Sequence, residues 1–275
     1  MLFRSESVRC FDVLIPSGTI TYEIHINNVP LSRIIIDKVT IPSGDPQSFS
    51  FATTGTGYNA FNLTDAANPN NQQLNGGNGT STVVYTVTEG ALAGWDLTGL
   101  SCTKTIPNSA NNANSQINTS TIATDLANRN ATITLQSGAT VSCTFTNTKR
   151  AILRVKKTTV PGGDTTNFTF TPTGWNSGST FTRNDTEGAF ASAPLVPGVY
   201  SVAETLNDSY DLTGRSCVNT GDGAHAASNV GNNGLSVTLA AGEDVTCTFT
   251  NTKRAKRSEE HTSELQSLAY LVCRL

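Results

Sequence analysis

Three polar residue types recur at matching places in the two halves of the sequence, each within a run that alternates apolar and polar residues. Successive side chains of a strand point to opposite faces, so this alternation places each of them on the apolar face of its strand. An amide buried without a partner costs about 2–7 kcal/mol, and a charged group costs more, so we expect these side chains to meet one another. They are Lys38, Glu89 and Asn147 in the first half, and Lys157, Glu204 and Asn251 in the second.

The alternation is clearest in the last apolar run of the second half. Cys247, Phe249 and Asn251 share one face there, and the intervening threonines share the other face. The same parity selects Lys157 over its neighbour Lys156, because Lys157 aligns with the apolar positions that precede it. This pattern predicts strands with one face in a core and one face in water.

The matching places belong to a repeat. Three blocks recur in the same order, and the third of them is identical in both copies. We therefore expect one domain over residues 34–150 (repeat 1) and a second over residues 151–256 (repeat 2), joined without a flexible linker. The blocks are residues 34–45 and 153–164, residues 85–89 and 200–204, and residues 143–150 and 247–254.

Each repeat contains about seven short alternating runs separated by Gly, Pro, Asn or Asp, which is typical of an all-β, immunoglobulin-like β-sandwich. Repeat 1 is longer because of two insertions, near residues 59–79 and 104–130. Both are rich in Asn, Ser, Gly and Thr, and we expect them to be mobile surface loops.

Four of the six cysteines lie at repeated positions. Cys102 with Cys143 and Cys217 with Cys247 are the expected disulfides, because each pair lies within one repeat at equivalent places. Metal binding is the alternative, although the sequence has no Cys-x-x-Cys motif and no nearby group of histidines. Disulfides would indicate an oxidising, extracellular compartment.

The composition argues against several classes of function. Charged residues make up 14% of the chain and the formal net charge is −3, which gives no basic surface for nucleic acid. There is no apolar run of about 18 or more residues that would span a membrane. With three histidines, and no credible Ser-His-Asp set, the chain is not expected to be an enzyme acting on a substrate, nor to need a metal or another cofactor.

The two ends of the chain differ from the repeats. Residues 1–33 resemble the end of a preceding repeat, although Tyr22 stands where a cysteine would be expected. Residues 257–275 resemble the translation of a common sequencing adapter, so we exclude them from the fold prediction; a native amphipathic helix is the alternative.

The order of motifs in both repeats resembles the prealbumin-like (SpaA-like, CnaB-type) domains of bacterial surface proteins. The most specific stretch is Pro-Gly-Val-Tyr-Ser-Val-Ala-Glu at residues 197–204, combined with a first-strand lysine and a last-strand Thr-Asn-Thr. Repeat 1 lacks the Pro-Gly before Tyr85, which is a departure from the pattern. The resemblance implies tandem prealbumin-like β-sandwiches that form the stalk of an adhesin or pilus.

The resemblance also implies a self-formed isopeptide bond in each repeat, with a glutamate as helper. Such a bond would join Lys38 to Asn147 with the help of Glu89, and Lys157 to Asn251 with the help of Glu204. A lysine that loses its charge on burial becomes a nucleophile, and a buried, protonated carboxyl can transfer protons. The alternative is a buried cluster of ion pairs and hydrogen bonds without a covalent bond.

Two functional hypotheses follow. The first is a structural stalk at the bacterial cell surface, whose partners are neighbouring repeats of the same chain. The second is a module whose loops, mainly residues 56–81 and 104–130, bind a glycan or a host protein. Exposed aromatic residues on those loops would favour the second hypothesis, and the candidates there are Tyr58 and Phe61. Trp95 and Tyr210, at equivalent positions, would either stack on a sugar or pack in the core.

Overall fold

A computed structural model describes residues 31–77, 81–105, 120–220 and 223–255. Almost all of residues 1–33, the whole adapter-like segment 257–275 and part of each insertion therefore lie outside the described residues. Within the described residues the chain is built from strands, with one short 3-10 turn at Asn176–Gly178. The all-β fold class expected from the alternating pattern is confirmed.

Repeat 1 forms two facing sheets. The first has the strand order β4-β1-β9-β6, and the second has the order β3-β2-β5-β8-β7. The strands are β1 (Ser32–Ile41), β2 (Phe49–Thr54), β3 (Phe61–Leu63), β4 (Asn70–Leu74), β5 (Val83–Glu89), β6 (Trp95–Thr105), β7 (Thr121–Asp125), β8 (Asn130–Leu135) and β9 (Thr140–Lys149).

Repeat 2 forms the same two sheets, with the orders β13-β10-β19-β15-β16 and β12-β11-β14-β18-β17. The strands are β10 (Ile152–Val160), β11 (Phe168–Thr173), β12 (Phe181–Arg183), β13 (Phe190–Ala191), β14 (Gly198–Glu204), β15 (Tyr210–Asn219), β16 (Gly223–His225), β17 (Ala227–Val230), β18 (Gly234–Leu239) and β19 (Asp244–Lys253).

The first and last strands of each repeat are hydrogen-bonded neighbours and run parallel, β1 beside β9 and β10 beside β19. The buried positions of these strands alternate with partly exposed ones, so the predicted parity is confirmed. Lys157 is buried and Lys156 is exposed, as that parity requires. Each repeat has its own core, made largely of Phe, Val, Leu and Ile side chains from both sheets.

The expectation that the insertions are only surface loops is wrong. Residues 59–79 contain β3 and β4, and β4 pairs antiparallel with β1 at the edge of the first sheet. Residues 104–130 contain β7, which pairs with β8. Backbone groups at a sheet edge gain hydrogen bonds from any extended segment that reaches them, so the polar segment of β4 forms a strand although it has little apolar pattern. Among the described residues, repeat 1 has nine strands and repeat 2 has ten, more than the predicted number of about seven.

Of the aromatic residues considered as ligand contacts, Tyr58, Trp95 and Tyr210 are buried, and Phe61 is half-buried against the core. Tyr58 is 5% exposed and lies against Phe61 and Tyr85, while Trp95 and Tyr210 are 7% and 5% exposed. Stacking on a sugar needs an exposed ring face, so the structure favours core packing for Trp95 and Tyr210.

Candidate functional site

The parallel pairing of first and last strands brings the lysine and asparagine of each repeat together. In repeat 1, Lys38 lies opposite Phe145 and Asn147 lies opposite Thr40, so the two side chains are offset by one step on the same face. In repeat 2, the register places Lys157 opposite Phe249 and Asn251 opposite Thr159. Both pairs therefore point into the core from one sheet.

The glutamate of each repeat comes from the opposing sheet, at the end of β5 or β14. Lys38 Nζ is 3.6 Å from Glu89 Oε1, and Lys157 Nζ is 3.3 Å from Glu204 Oε2. The side chains of both ion pairs are 0% exposed. The lysine and the glutamate thus meet in both repeats, and the asparagine lies on the same core face beside the lysine. We call the sets the repeat 1 cluster (Lys38, Glu89, Asn147) and the repeat 2 cluster (Lys157, Glu204, Asn251).

Backbone carbonyl groups and an aromatic ring hold the lysine amino group. Lys38 Nζ donates hydrogen bonds to the carbonyl oxygens of Val39 and Phe145, at 2.8 and 2.9 Å. It also lies 4.3 Å from the centre of the Phe49 ring. Such contacts replace part of the hydration that burial removes, and they fix the direction of the side chain.

The lysine of repeat 2 has the same surroundings. Lys157 Nζ donates to the carbonyl oxygens of Phe249 and Thr158, at 3.1 and 3.3 Å, and lies 4.3 Å from the centre of the Phe168 ring. The equivalence of the two lysine sites follows from the equivalent registers of the strands that carry them.

The asparagines differ between the repeats. In repeat 2, Asn251 Nδ2 donates to Glu204 Oε1 at 2.5 Å, so Glu204 contacts both other members of its cluster. In repeat 1, neither Oδ1 nor Nδ2 of Asn147 has a hydrogen-bond partner, although the residue is fully buried. An amide held in a core without partners is strongly disfavoured, which marks this position for chemistry or for rearrangement.

A second difference lies on the glutamate. Arg129 Nη2 donates to Glu89 Oε2 at 2.7 Å, and the Arg129 side chain is 18% exposed. The equivalent position in repeat 2 is Asn233, whose carbonyl oxygen accepts from the Glu204 N–H as that of Arg129 accepts from the Glu89 N–H. The sequence analysis did not identify Arg129 or Asn233, because both lie in turns where the repeats do not align.

Burial shifts the titration of the two cluster lysines and of Glu204 toward their neutral forms. It lowers the pKa of Lys38 and of Lys157, and the attraction of the neighbouring carboxylate only partly offsets this. In repeat 2, burial also raises the pKa of Glu204, against the opposing effects of Lys157 and the Asn251 amide. A neutral amine beside a protonated acid is the combination needed for attack on an amide.

In each repeat one aspartate closes the turn beyond the lysine strand, a role that was not apparent from the sequence. Asp65 Oδ2 accepts from Thr40 Oγ1 and the Gly44 N–H, and Asp185 Oδ2 accepts from Thr159 Oγ1 and the Gly163 N–H. Since Thr40 and Thr159 lie opposite the cluster asparagines, these contacts fix the strand end at the site.

The disulfides lie on the same last strands. Cys102–Cys143 joins β6 to β9 and Cys217–Cys247 joins β15 to β19, so the cysteines pair as expected from the repeat. The bonded cysteines are 41 and 30 residues apart, and closing such loops stabilises a fold by about 3–4 kcal/mol in the chain-entropy model. Cys143 and Cys247 share the core face with the cluster asparagines.

Among the described residues, no group of three or more His, Cys, Asp or Glu side chains is placed to hold a metal ion. The described part of the chain likewise has no helix long and apolar enough to cross a membrane.

The sequence matches a family model described as a prealbumin-like fold domain of the SpaA type, over residues 34–149 and 153–253. No curated protein matches the chain.

Among solved structures, the chain is similar to the major pilin from Streptococcus pyogenes, with 15% identity and a TM-score of 0.34 over 82% of this chain and 99% of that chain. It is also similar to a C-terminal fragment of the pilus adhesin SpaC from Lactobacillus rhamnosus GG, with 18% identity and a TM-score of 0.30 over 83% and 98% of the two chains.

Proposed function

Because this chain belongs to the prealbumin-like fold domain family, we propose that it is a structural stalk module of a bacterial cell-surface or secreted adhesin-like protein. Residues 34–150 and 151–256 are its two modules. In each module an isopeptide bond between the first and last strands resists unfolding under tension. The observation that carries the proposal is the buried Lys–Glu–Asn cluster, which recurs on equivalent strands of both repeats.

The proposed reaction is an amide exchange within the core. In repeat 2, the neutral Lys157 amine attacks Asn251 Cγ, a bond forms between Nζ and Cγ, and the Cγ–Nδ2 bond breaks. The Asn251 nitrogen leaves as ammonia. Protonated Glu204 gives its proton to the leaving nitrogen and takes one from Nζ in its place, so the glutamate is unchanged at the end. The reaction needs no reactant from outside the protein.

The geometry supports this role for Glu204. One of its oxygens contacts the attacking Lys157 amine and the other accepts from the Asn251 amide nitrogen that must leave. A proton can therefore pass between the two nitrogen atoms through one carboxyl group. Exclusion of water from the cluster strengthens these contacts and protects the pair from side reactions.

The position of the bond suits a stalk. Force applied to the ends of a repeat shears its first strand against its last strand, because the two run parallel and are pulled in opposite directions. A covalent bond from Lys38 to Asn147, or from Lys157 to Asn251, would carry that force directly. The segment between the bonded residues would then remain folded.

The location and the partners of the chain are also part of the proposal. Two intradomain disulfides are stable in an oxidising compartment, which fits an extracellular location. The partners supported by contacts are neighbouring repeats, because the Gly242 N–H donates to the Lys149 carbonyl oxygen at 3.1 Å across the joint between the repeats. Loop-mediated binding of a glycan or host protein lacks comparable support, because the aromatic side chain of Tyr58 is buried.

Intact mass spectrometry of the full chain, before and after reduction, tests the proposal. We expect the loss of one ammonia per repeat when the reaction is complete, and this loss should survive reduction and boiling. Lys157→Ala and Glu204→Ala should each abolish the loss from repeat 2 and leave that from repeat 1.

Lys156→Ala is the matched control, because Lys156 is the exposed neighbour of the nucleophile, and it should retain both losses. A mass lower only by the hydrogens of the two disulfides would disprove the isopeptide bonds. The fold would then be held by its cores and disulfides alone.

A further inference from the structure

The two clusters are alike in strand register, burial and lysine contacts, but they differ at the glutamate. Glu204 uses one oxygen for Lys157 and the other for Asn251. Glu89 uses one oxygen for Lys38 and the other for Arg129, which leaves Asn147 without a hydrogen bond. Arg129 therefore takes the place on its glutamate that the reacting amide takes in repeat 2.

The backbone fixes Arg129 at this place. Its carbonyl oxygen accepts a hydrogen bond of 3.0 Å from the Glu89 N–H, so the main chain alone holds the residue beside the glutamate. Arg129 also has a φ of 57°, in the left-handed region that residues other than glycine rarely adopt. A backbone held in a sparsely populated conformation next to a reactive group suggests a functional constraint.

Repeat 2 has an uncharged residue at the same position. The Asn233 carbonyl oxygen accepts from the Glu204 N–H at 2.9 Å, and its Nδ2 donates to the Glu204 backbone carbonyl oxygen at 2.8 Å. The Asn233 side chain thus engages the backbone and leaves both carboxyl oxygens of Glu204 to the cluster. The repeats therefore differ here in residue type and in backbone conformation, since Arg129 has a positive φ and Asn233 does not.

The chemical consequence follows from what the reaction requires. The glutamate must take a proton from the lysine and deliver it to the amide, and a guanidinium is a permanent cation with no proton to give and no lone pair to accept one. Arg129 occupies Glu89 Oε2, so this oxygen is not free to exchange a proton with the Asn147 amide. The ion pair also holds Glu89 out of hydrogen-bond contact with Asn147.

We infer that Arg129 restrains isopeptide formation in repeat 1 by pairing with Glu89, so that repeat 2 forms its bond first and repeat 1 forms its bond only when Arg129 releases the carboxyl group. Arg129 is a positioning residue, since it acts through Glu89 and does not contact the bond that forms. The inference rests on the isopeptide reaction proposed above.

The test follows both bonds over time in the full chain, made by cell-free synthesis and stopped by acid at intervals. Proteolysis and peptide mass then give the ammonia loss for each repeat separately. In the natural sequence we expect repeat 1 to react at least about tenfold more slowly than repeat 2, since acid–base assistance contributes about 100- to 10,000-fold.

The two positions provide reciprocal variants. Arg129→Asn should bring the rate of repeat 1 toward that of repeat 2, and Asn233→Arg should slow repeat 2 by at least about tenfold. Arg129→Lys retains a cation and should keep repeat 1 slow, whereas Arg129→Gln retains length without charge and should accelerate it. A purely structural role would not separate these last two variants by charge, and thermal unfolding checks that each variant folds.

The outcomes distinguish this inference from the proposed function. Equal rates for the two repeats of the natural sequence, or a repeat 1 rate that Arg129→Asn and Arg129→Gln leave unchanged, would overturn the role of Arg129 while the isopeptide bonds stand. Absence of ammonia loss from both repeats in every variant would overturn both proposals together.

Discussion

At the scale of single residues, each cluster buries a lysine and a glutamate that water would otherwise solvate. Lys157 is compensated by two carbonyl groups, a ring face and Glu204, whereas Glu204 is compensated by Lys157 and Asn251. Buried charge is costly even when it is paired, so a cluster of this kind contributes little to stability before it reacts. Its value lies in the chemistry that the dry environment permits.

The raised pKa of Glu204 predicts how stability depends on pH in a variant that cannot form the bond, Asn251→Ala. Loss of the Asn251 donor raises the pKa of Glu204 further. In the unfolded chain the carboxyl of Glu204 loses its proton above its ordinary pKa of 4.5, whereas in the folded state it keeps the proton to a higher pH. The contribution to stability is present in full below 4.5 and is lost as the pH rises through the folded pKa.

Urea unfolding of Asn251→Ala between about pH 4 and about pH 8 measures this effect. The control is the double variant Asn251→Ala with Glu204→Gln, which keeps the other acids of the repeat. The unfolding free energy of the single variant, relative to the double variant, should fall as the pH rises across this range. Parallel pH profiles would show that Glu204 is not protonated preferentially in the folded state.

At the scale of elements, the last strand of each repeat lies at the centre of the sheet that carries the lysine. β19 is hydrogen-bonded to β10 on one side and β15 on the other, and it carries both Cys247 and Asn251 on its core face. The disulfide closes a loop that lies inside the segment from Lys157 to Asn251. The two covalent links therefore restrict overlapping parts of the same unfolded chain.

This overlap predicts that the two links are not additive. In the Asn251→Ala background, reducing Cys217–Cys247 should lower the unfolding free energy of repeat 2 by about 3 kcal/mol. With the isopeptide bond formed, the same reduction should lower the unfolding free energy by less, because the unfolded chain is already restricted.

Tryptophan fluorescence measures this effect. Each repeat has one tryptophan, Trp95 or Trp175, so fluorescence in a Trp95→Phe background reports on repeat 2 alone. Equal losses in both backgrounds would contradict the prediction.

At the scale of the whole molecule, the two repeats meet at a short joint. Only Arg150 and Ala151 separate β9 from β10. Arg150 pairs with Asp96 in repeat 1 through two hydrogen bonds of 2.8 and 2.7 Å, and it also donates to the Pro194 carbonyl oxygen of repeat 2 at 3.4 Å. The Gly242 N–H also donates to the Lys149 carbonyl oxygen. The two repeats therefore contact each other through both main-chain and side-chain groups.

Gly242 provides a specific test of the joint. Its φ is 76°, and a Cβ atom added there would lie 3.1 Å from Pro42 and 3.2 Å from Lys149, both in repeat 1. Gly242→Ala should therefore strain the backbone and also separate the repeats, which small-angle X-ray scattering would detect as a broader range of particle dimensions. Gly163→Ala is the control, since Gly163 has a φ of 83° but nothing within 4 Å of an added Cβ. Similar scattering from the two variants would contradict a packed joint.

Much of this organisation was predictable because it is periodic along the chain. Strand parity depends only on neighbouring residues, so the sequence identifies Lys157 rather than Lys156 as the buried lysine. The repeat places cysteines, lysines, glutamates and asparagines at equivalent positions, and these positions indicate which side chains should meet. These features need no knowledge of how the sheets are arranged.

Other features depend on contacts between distant segments, and tertiary structure alone decides them. The polar segment Asn70–Leu74 forms β4 because the edge strand β1, with free hydrogen-bonding groups, lies beside it, not because of its own pattern. Arg129 reaches Glu89 through a turn 40 residues away, at a position that no periodicity marks. Local sequence thus determines which side chains enter the core, whereas the packing of one sheet against the other determines which partner each buried charge finds there.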